Sequence, residues 1–198
     1  MGSVHRPAAV KLFCALLLAP SVSSVEVEEV LQRHFGTIIL RSQPLPFTQT
    51  TYYTSEMGGA LTRLFLAFAP LIPMGDLATI KHTTNALEAT WATPAGQRRV
   101  NVDPGYLDLA KVVLATTKDH AHRVYIGAGL FAEVTLRYRQ KTFQPWEWTY
   151  PDYRLPATHD FFSQLRDLYK AQLRHFSAPT ASTHATSPSQ PKRIAQPS

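Results

Sequence analysis

Two hydrophobic rhythms share this chain. Val10 to Leu18 is an apolar run broken only by Lys11, and Thr37 to Leu40 and Leu64 to Phe68 are shorter runs of the same kind. Runs of this length bounded by Pro, Gly or Ser predict buried strands, the third one ended by Pro70 and Pro73. Val25 to Phe35 instead predicts a helix, with Ser24 as its cap, Glu26, Glu28 and Glu29 near its positive end and Gly36 as its stop. From Asp76 to Trp91 the helical period is clearest. Leu77, Ile80, Thr84, Leu87 and Trp91 recur on one face, and Lys81, Asn85 and Glu88 recur on a neighbouring polar face.

The second half alternates. Arg98 to Asp103, Val112 to Thr117, His122 to Ile126 and Phe131 to Tyr138 predict four strands, the last two joined through Gly127-Ala128-Gly129. Strict alternation puts Arg99, Asn101 and Asp103 on one face of their strand, ahead of a tight turn at Asp103-Pro104-Gly105-Tyr106. It also puts Ala132, Val134, Leu136 and Tyr138 together, with Glu133, Thr135 and Arg137 opposite. A closing helix from Thr158 to about Phe176 buries Phe161, Phe162, Leu165, Leu168, Tyr169 and Leu173.

The order β-α-β-β-α-β, then a meander and a helix, is α+β. It predicts a ferredoxin-like (split βαβ) antiparallel sheet with helices on one face, extended by the meander and the C-terminal helix. One sheet face is then available for binding. The expected division is a flexible segment 1–9, a single domain 10–176 and a disordered Ser/Thr/Pro-rich tail 177–198.

Composition adjusts this picture only slightly. Hydrophobic residues make up 44% of the 198-residue chain and charged ones 17%, which suits a globular domain. The net charge of +6, two of it from Lys192 and Arg193 in the tail, permits an anionic partner without demanding one. The single cysteine, Cys14, excludes a disulfide framework and a thiolate metal site, and its apolar setting predicts a buried side chain. The N-terminus reads either as a secretory signal or as a first core strand, and the interrupting Lys11 favours the strand. No run is long enough to span a membrane.

Familiar nucleotide loops are absent: there is no G-x-x-x-x-G-K-[ST] and no G-x-G-x-x-G opening a helix, and Thr117-Lys118-Asp119 lacks the spacing of a guanine-specificity motif. His82-Thr83-Thr84 and His184-Ala185-Thr186 match the letters of a two-histidine phosphoesterase, but the first lies in a helix and the second in the tail. His120, His122 and Glu133 are the one trio whose strands bring metal-ligating types together, weighed against ordinary surface and sheet positions; no metal is expected. What remains is a polar crowd between Arg98 and Thr135, flanked by two aromatic loops around Tyr52, Tyr53 and Glu56 and around Trp148 to Tyr153.

Val10-Lys11-Leu12-Phe13, Thr50 to Gly58, Thr84-Asn85, Arg99 to Tyr106 and Lys111 to Lys118 together resemble one family. His122-Arg123-Val124-Tyr125, Ala132 to Leu136 and Trp148 to Tyr153 extend the same resemblance, which runs from about Val10 to Leu173. It is to the bacterial and archaeal domain-of-unknown-function family 4416. The resemblance implies a cytoplasmic protein whose first strand is core, and it brings no reaction, cofactor or catalytic residue. Some members carry a GTP-binding description, for which this chain has none of the usual loops.

The expected function is therefore binding of, or action on, a small anionic ligand such as a nucleotide or phosphorylated metabolite. Asp103 and Glu133 are the candidate acid, base or metal-holding groups. The candidate ligand contacts are Lys81, Asn85, Arg99, Asn101, Lys111, Lys118, His122, Arg123, Thr135, Tyr53 and Glu56. One alternative is an RNA-binding module that uses the open sheet face. Another is a structural or partner-binding protein without a small ligand.

Overall fold

In a computed structural model, residues 2–49 and 54–177 are described, with backbone only at 54–55 and 176–177. Tyr53 and nearly all of the expected tail lie outside these residues. The strands are β1 (Val10–Leu18), β2 (Ile38–Arg41), β3 (Leu45–Pro46), β4 (Thr62–Ile72), β5 (Val100–Leu107), β6 (Lys111–Thr116), β7 (Val124–Gly127), β8 (Leu130–Arg139) and β9 (Thr142–Pro145). The helices are α1 (Ser24–Phe35), the single turn α2 (Thr54–Met57), α3 (Leu77–Thr90) and α4 (Pro156–Ser177). The strands form one antiparallel sheet in the order β2-β4-β1-β5-β6-β8-β7, with β3 beside β4 and β9 beside β8.

β1 is an interior strand, between β4 and β5, and all nine of its residues are buried. The apolar N-terminal run is thus a core strand. Its even positions Leu12, Cys14, Leu16 and Leu18 pack with Val27 and Leu31 of α1 and Ile80 of α3. Its odd positions Phe13 and Ala15 pack with Phe161, Phe162, Leu165 and Tyr169 of α4. A fully buried Phe or Leu contributes roughly 1.5–3 kcal/mol, so a strand buried on both faces anchors both layers. The expectation of helices on one face holds for α1 and α3 but not for α4. The sheet face predicted to be available is covered by α4 across the centre of the sheet.

Several local expectations change for identifiable reasons. The α1 cap position is Ser23, and it makes no side-chain capping hydrogen bond. β4 runs through Pro70 because the β1–β4 register shifts there, between Lys11 and Phe13, and a bulge tolerates a missing N–H. Leu168 is not buried; it is 42% exposed on α4.

The region from Asp103 to Tyr106 is not a turn but part of β5. Gly105 is needed there for space: a Cβ would stand 2.4 Å from the Val113 carbonyl oxygen and 2.5 Å from the Phe13 ring. Pro104 marks the place where pairing with β6 ends. β5 meets β6 only from Gly105 to Leu107. Toward Val100 the two strands part, and Ala115 and Thr116 of β6 keep only their β8 partners. Pro104 has no N–H to offer a ladder. The sheet therefore opens a gap between its two halves.

Candidate functional site

Val102 is paired with Leu16 of β1, but the gap leaves its β6 side without a strand, and α3 supplies the missing partners. Glu88 Oε1 accepts the Val102 N–H at 2.7 Å, and Lys81 Nζ donates to the Val102 carbonyl at 3.1 Å. Helical spacing puts Lys81, Asn85 and Glu88 in one row, and that row lines the gap. Asn101 pairs with Leu17 and Asp103 with Ala15, so both side chains point to the α4 face. There they meet Arg63 of β4 and the segment Tyr150 to Tyr153 that leads into α4.

The result is a cavity of about 650 Å³. Its cations are Arg63, Lys81, Arg98, Lys118 and Arg123, and its carboxylates are Glu88, Asp103, Glu133 and Asp152. Each carboxylate faces a cation. Lys81 Nζ lies 2.9 Å from Asp103 and 3.8 Å from Glu88. Arg123 Nε donates to Glu133 at 2.8 Å, and its Nη2 reaches the Tyr150 hydroxyl at 3.0 Å. Arg63 and Asp152 stand 2.8 Å apart as opposite charges, although the N–H is not aimed along the contact. Arg98 touches Glu88 at 3.7 Å and donates to Asn101 Oδ1 at 3.1 Å. Thr117, Lys118, His120 and Tyr150 are the solvent-exposed end of the lining.

Electrostatics divide the carboxylates. Burial would raise the Asp103 carboxyl, but the Lys81 ammonium beside it, with help from Asn101 at 2.7 Å, outweighs that and holds it below its ordinary value. Burial also raises Glu88, and here Lys81 and the Val102 N–H offset it only in part, so Glu88 stays above the ordinary carboxylate value. Lys81 is pulled down by burial and pushed up more strongly by Asp103 and Glu88.

The expected contacts divide accordingly. Lys81, Asn85, Asn101, Asp103, Lys118, Arg123 and Glu133 line the cavity. Arg99 does not: it lies in a bend before β5, and its Nε donates to the Trp91 carbonyl at 2.7 Å. That bend puts Arg98 where alternation had put Arg99. Lys111 pairs with Asp108 at 3.2 Å at the other end of the β5–β6 hairpin. Thr135 is buried beneath Glu133, and its carbonyl accepts a hydrogen bond from the Thr149 hydroxyl at 2.6 Å. It is the extra residue of a bulge, since Val112 pairs with Leu136 and Val113 with Val134. Leu136 therefore joins the α4 side, where Glu133 also points, while Val134 and Ala132 face the α3 side. Glu56 holds Arg98 from outside the cavity lining.

His122 lies behind the cavity wall, with Nε2 at 3.1 Å from Glu133. Its ring stacks between His120 at 5.9 Å and Trp148 at 5.4 Å, Trp148 stacks on Trp146 at 5.2 Å, and Arg137 covers Trp146 at 4.3 Å. This column takes up the imidazole faces. Among the described residues, no group of three His, Cys, Asp or Glu side chains is placed to hold a metal ion, the His120–His122–Glu133 trio included.

Sequence reasoning missed Arg63, Glu88 as a lining group, Arg98 and Tyr153. Arg63 was the most legible of these, as a charge at the head of an apolar run. The Tyr153 hydroxyl is buried and has no hydrogen-bond partner among the described residues. Among those residues no helix is long and apolar enough to cross a membrane. No curated protein and no solved structure matches the chain. A family model does match, over residues 8–169, and the chain belongs to that family, described as Domain of unknown function (DUF4416).

Proposed function

We propose that this chain binds or acts on a small anionic ligand, such as a nucleotide or phosphorylated metabolite, in the cavity between β5 and β6. The observation that carries the proposal is the Tyr153 hydroxyl, buried at the cavity wall without a partner among the described residues. Leaving such a group unsatisfied costs about 1–3 kcal/mol, a cost that a ligand oxygen or nitrogen removes. Nucleotides, phosphorylated metabolites and small carboxylates form the panel to screen by thermal shift on the full chain. A binder is expected, and Tyr153→Phe weakens it by about three- to tenfold, the worth of one hydrogen bond. A panel that leaves the melting temperature of the wild-type chain unmoved sinks the proposal.

The strand order β2-β4-β1-β5, with α1 and α3 on the same face, supports a ferredoxin-like split βαβ unit that carries the later strands as an extension. The place of β1 in the core supports a cytoplasmic home, since removing it as a leader would take an interior strand out of the sheet. An RNA module reading bases from an open sheet face is disfavoured, because helices cover both faces of β1.

A further inference from the structure

The surroundings of Arg98 narrow the class of ligand, on the premise that the cavity is the binding site. The Arg98 guanidinium is held on several sides. Its Nη1 donates to Asn101 Oδ1 at 3.1 Å and stands 3.7 Å from the Glu88 carboxylate, and both of those partners are buried in the cavity wall. Its Nε and Nη2 donate to the two oxygens of a single carboxylate, Glu56, at 2.6 Å each. Glu56 differs from the other two partners in being 39% exposed and in coming from a segment 42 residues earlier. Two parallel N–H···O bonds to one planar carboxylate are the geometry by which arginine recognises a carboxylate ligand. The wall positions the fork, and the chain's own side chain fills it.

Charge points the same way. With Glu56 in place, the carboxylates at the cavity equal the cations in number. Once Glu56 leaves Arg98, one positive charge is in excess. A single incoming carboxylate restores the balance, whereas a polyphosphate sets several negative charges beside Glu88, Asp103, Glu133 and Asp152. Both partners are about a third exposed, so solvent screens the pair and takes over part of it as it opens, and exchange of one carboxylate for another costs less than at a buried site. Hydrogen bonds from Arg98 hold the Glu56 carboxyl below its ordinary value, so at neutral pH the fork is filled by an anion before any ligand arrives.

We propose that Arg98 is the anion subsite of the cavity, that Glu56 occupies it as an internal stand-in, and that the ligand carries a single carboxylate-type anionic group. The test titrates the full chain with benzoate and, separately, with tripolyphosphate, and follows the Arg98 Nε–H resonance by NMR. Benzoate is expected to move that resonance and to bind Glu56→Gln about fivefold more tightly than the wild type, since an exposed competitor has been removed. Tripolyphosphate is expected to bind more weakly than benzoate in both chains. Glu56→Ala gives the same ranking and serves as the second variant. Equal benzoate affinity in all three chains, or tighter tripolyphosphate, overturns the assignment. Benzoate that moves other cavity resonances but not Arg98 overturns the subsite and leaves the cavity proposal standing. No response to either probe anywhere in the cavity overturns the subsite, and the cavity proposal falls with it if the thermal-shift panel is also silent.

Discussion

Lys11 and Lys81 are both shut away from water, yet the fold uses them in opposite ways. Lys11 lies on β1 where the ladder to β4 slips, and its ammonium donates to the carbonyls of Phe68 at 3.2 Å and Ala69 at 2.8 Å and to the Gln172 side chain. All of those partners are neutral. Burial without a counter-charge pushes its pKa down to about 8. Lys81 lies between Asp103 and Glu88, and their charges more than overcome burial, so it stands above its ordinary value. One lysine closes an irregularity in the core, and the other neutralises a cavity. A buried lysine is therefore not in itself the mark of a site; the partners decide.

The sharpest way to break this distinction is to remove the cavity lysine. Lys81→Met leaves Asp103 and Glu88 as buried carboxylates without their shared cation and is expected to destabilise the chain by about 3–5 kcal/mol in urea unfolding near neutral pH. Adding Asp103→Asn recovers part of the loss, because one of the stranded charges is then gone. Should Lys81→Met cost no more than Lys11→Met, the two lysines are of one kind and the contrast fails.

The core lysine has a smaller effect with a distinctive pH signature. Lys11→Met takes a donor from the Phe68 carbonyl, while the Ala69 carbonyl keeps Gln172 Nε2 at 3.1 Å. A loss of about 1–2 kcal/mol is expected at neutral pH. In the folded chain Lys11 releases its proton near pH 8, against 10.5 for an ordinary lysine. Between those values the unfolded chain binds more protons, so the wild type gains stability as pH rises through that window and the variant does not. Unfolding curves across the window measure the difference between the two chains. A difference that stays flat removes the counterion-free reading of Lys11.

How legible all this was from the sequence depends on the rhythm that carried each residue. The row Lys81, Asn85 and Glu88 survives intact because a helical period is local, and nothing elsewhere in the chain can shift it. Strand faces are not local in that sense: one inserted residue reverses every side chain beyond it. The bulge at Thr135 parted Val134 from Leu136, and the bend at Arg99 moved Arg98 into the cavity. Pro104-Gly105 looked like a turn because its real cause, the parting of β5 from β6, lies in strands the local pattern does not include.

The Arg98 and Arg99 pair turns that last difference into the mildest of the tests. The two are neighbours of the same type, and alternation alone put Arg99, not Arg98, at the cavity. Arg99 spends its Nε on the Trp91 carbonyl, where α3 ends, so Arg99→Ala is expected to lose about 1 kcal/mol of stability through one hydrogen bond. Its benzoate affinity should equal that of the wild type, because the side chain does not line the cavity. Arg98→Ala is expected to do the reverse, giving up the fork that Glu56 now fills and with it the response to benzoate. Calorimetric titration of both chains decides between them. Equal weakening by the two substitutions means that the bend before β5 does not separate their roles, and that the alternating pattern had the better claim.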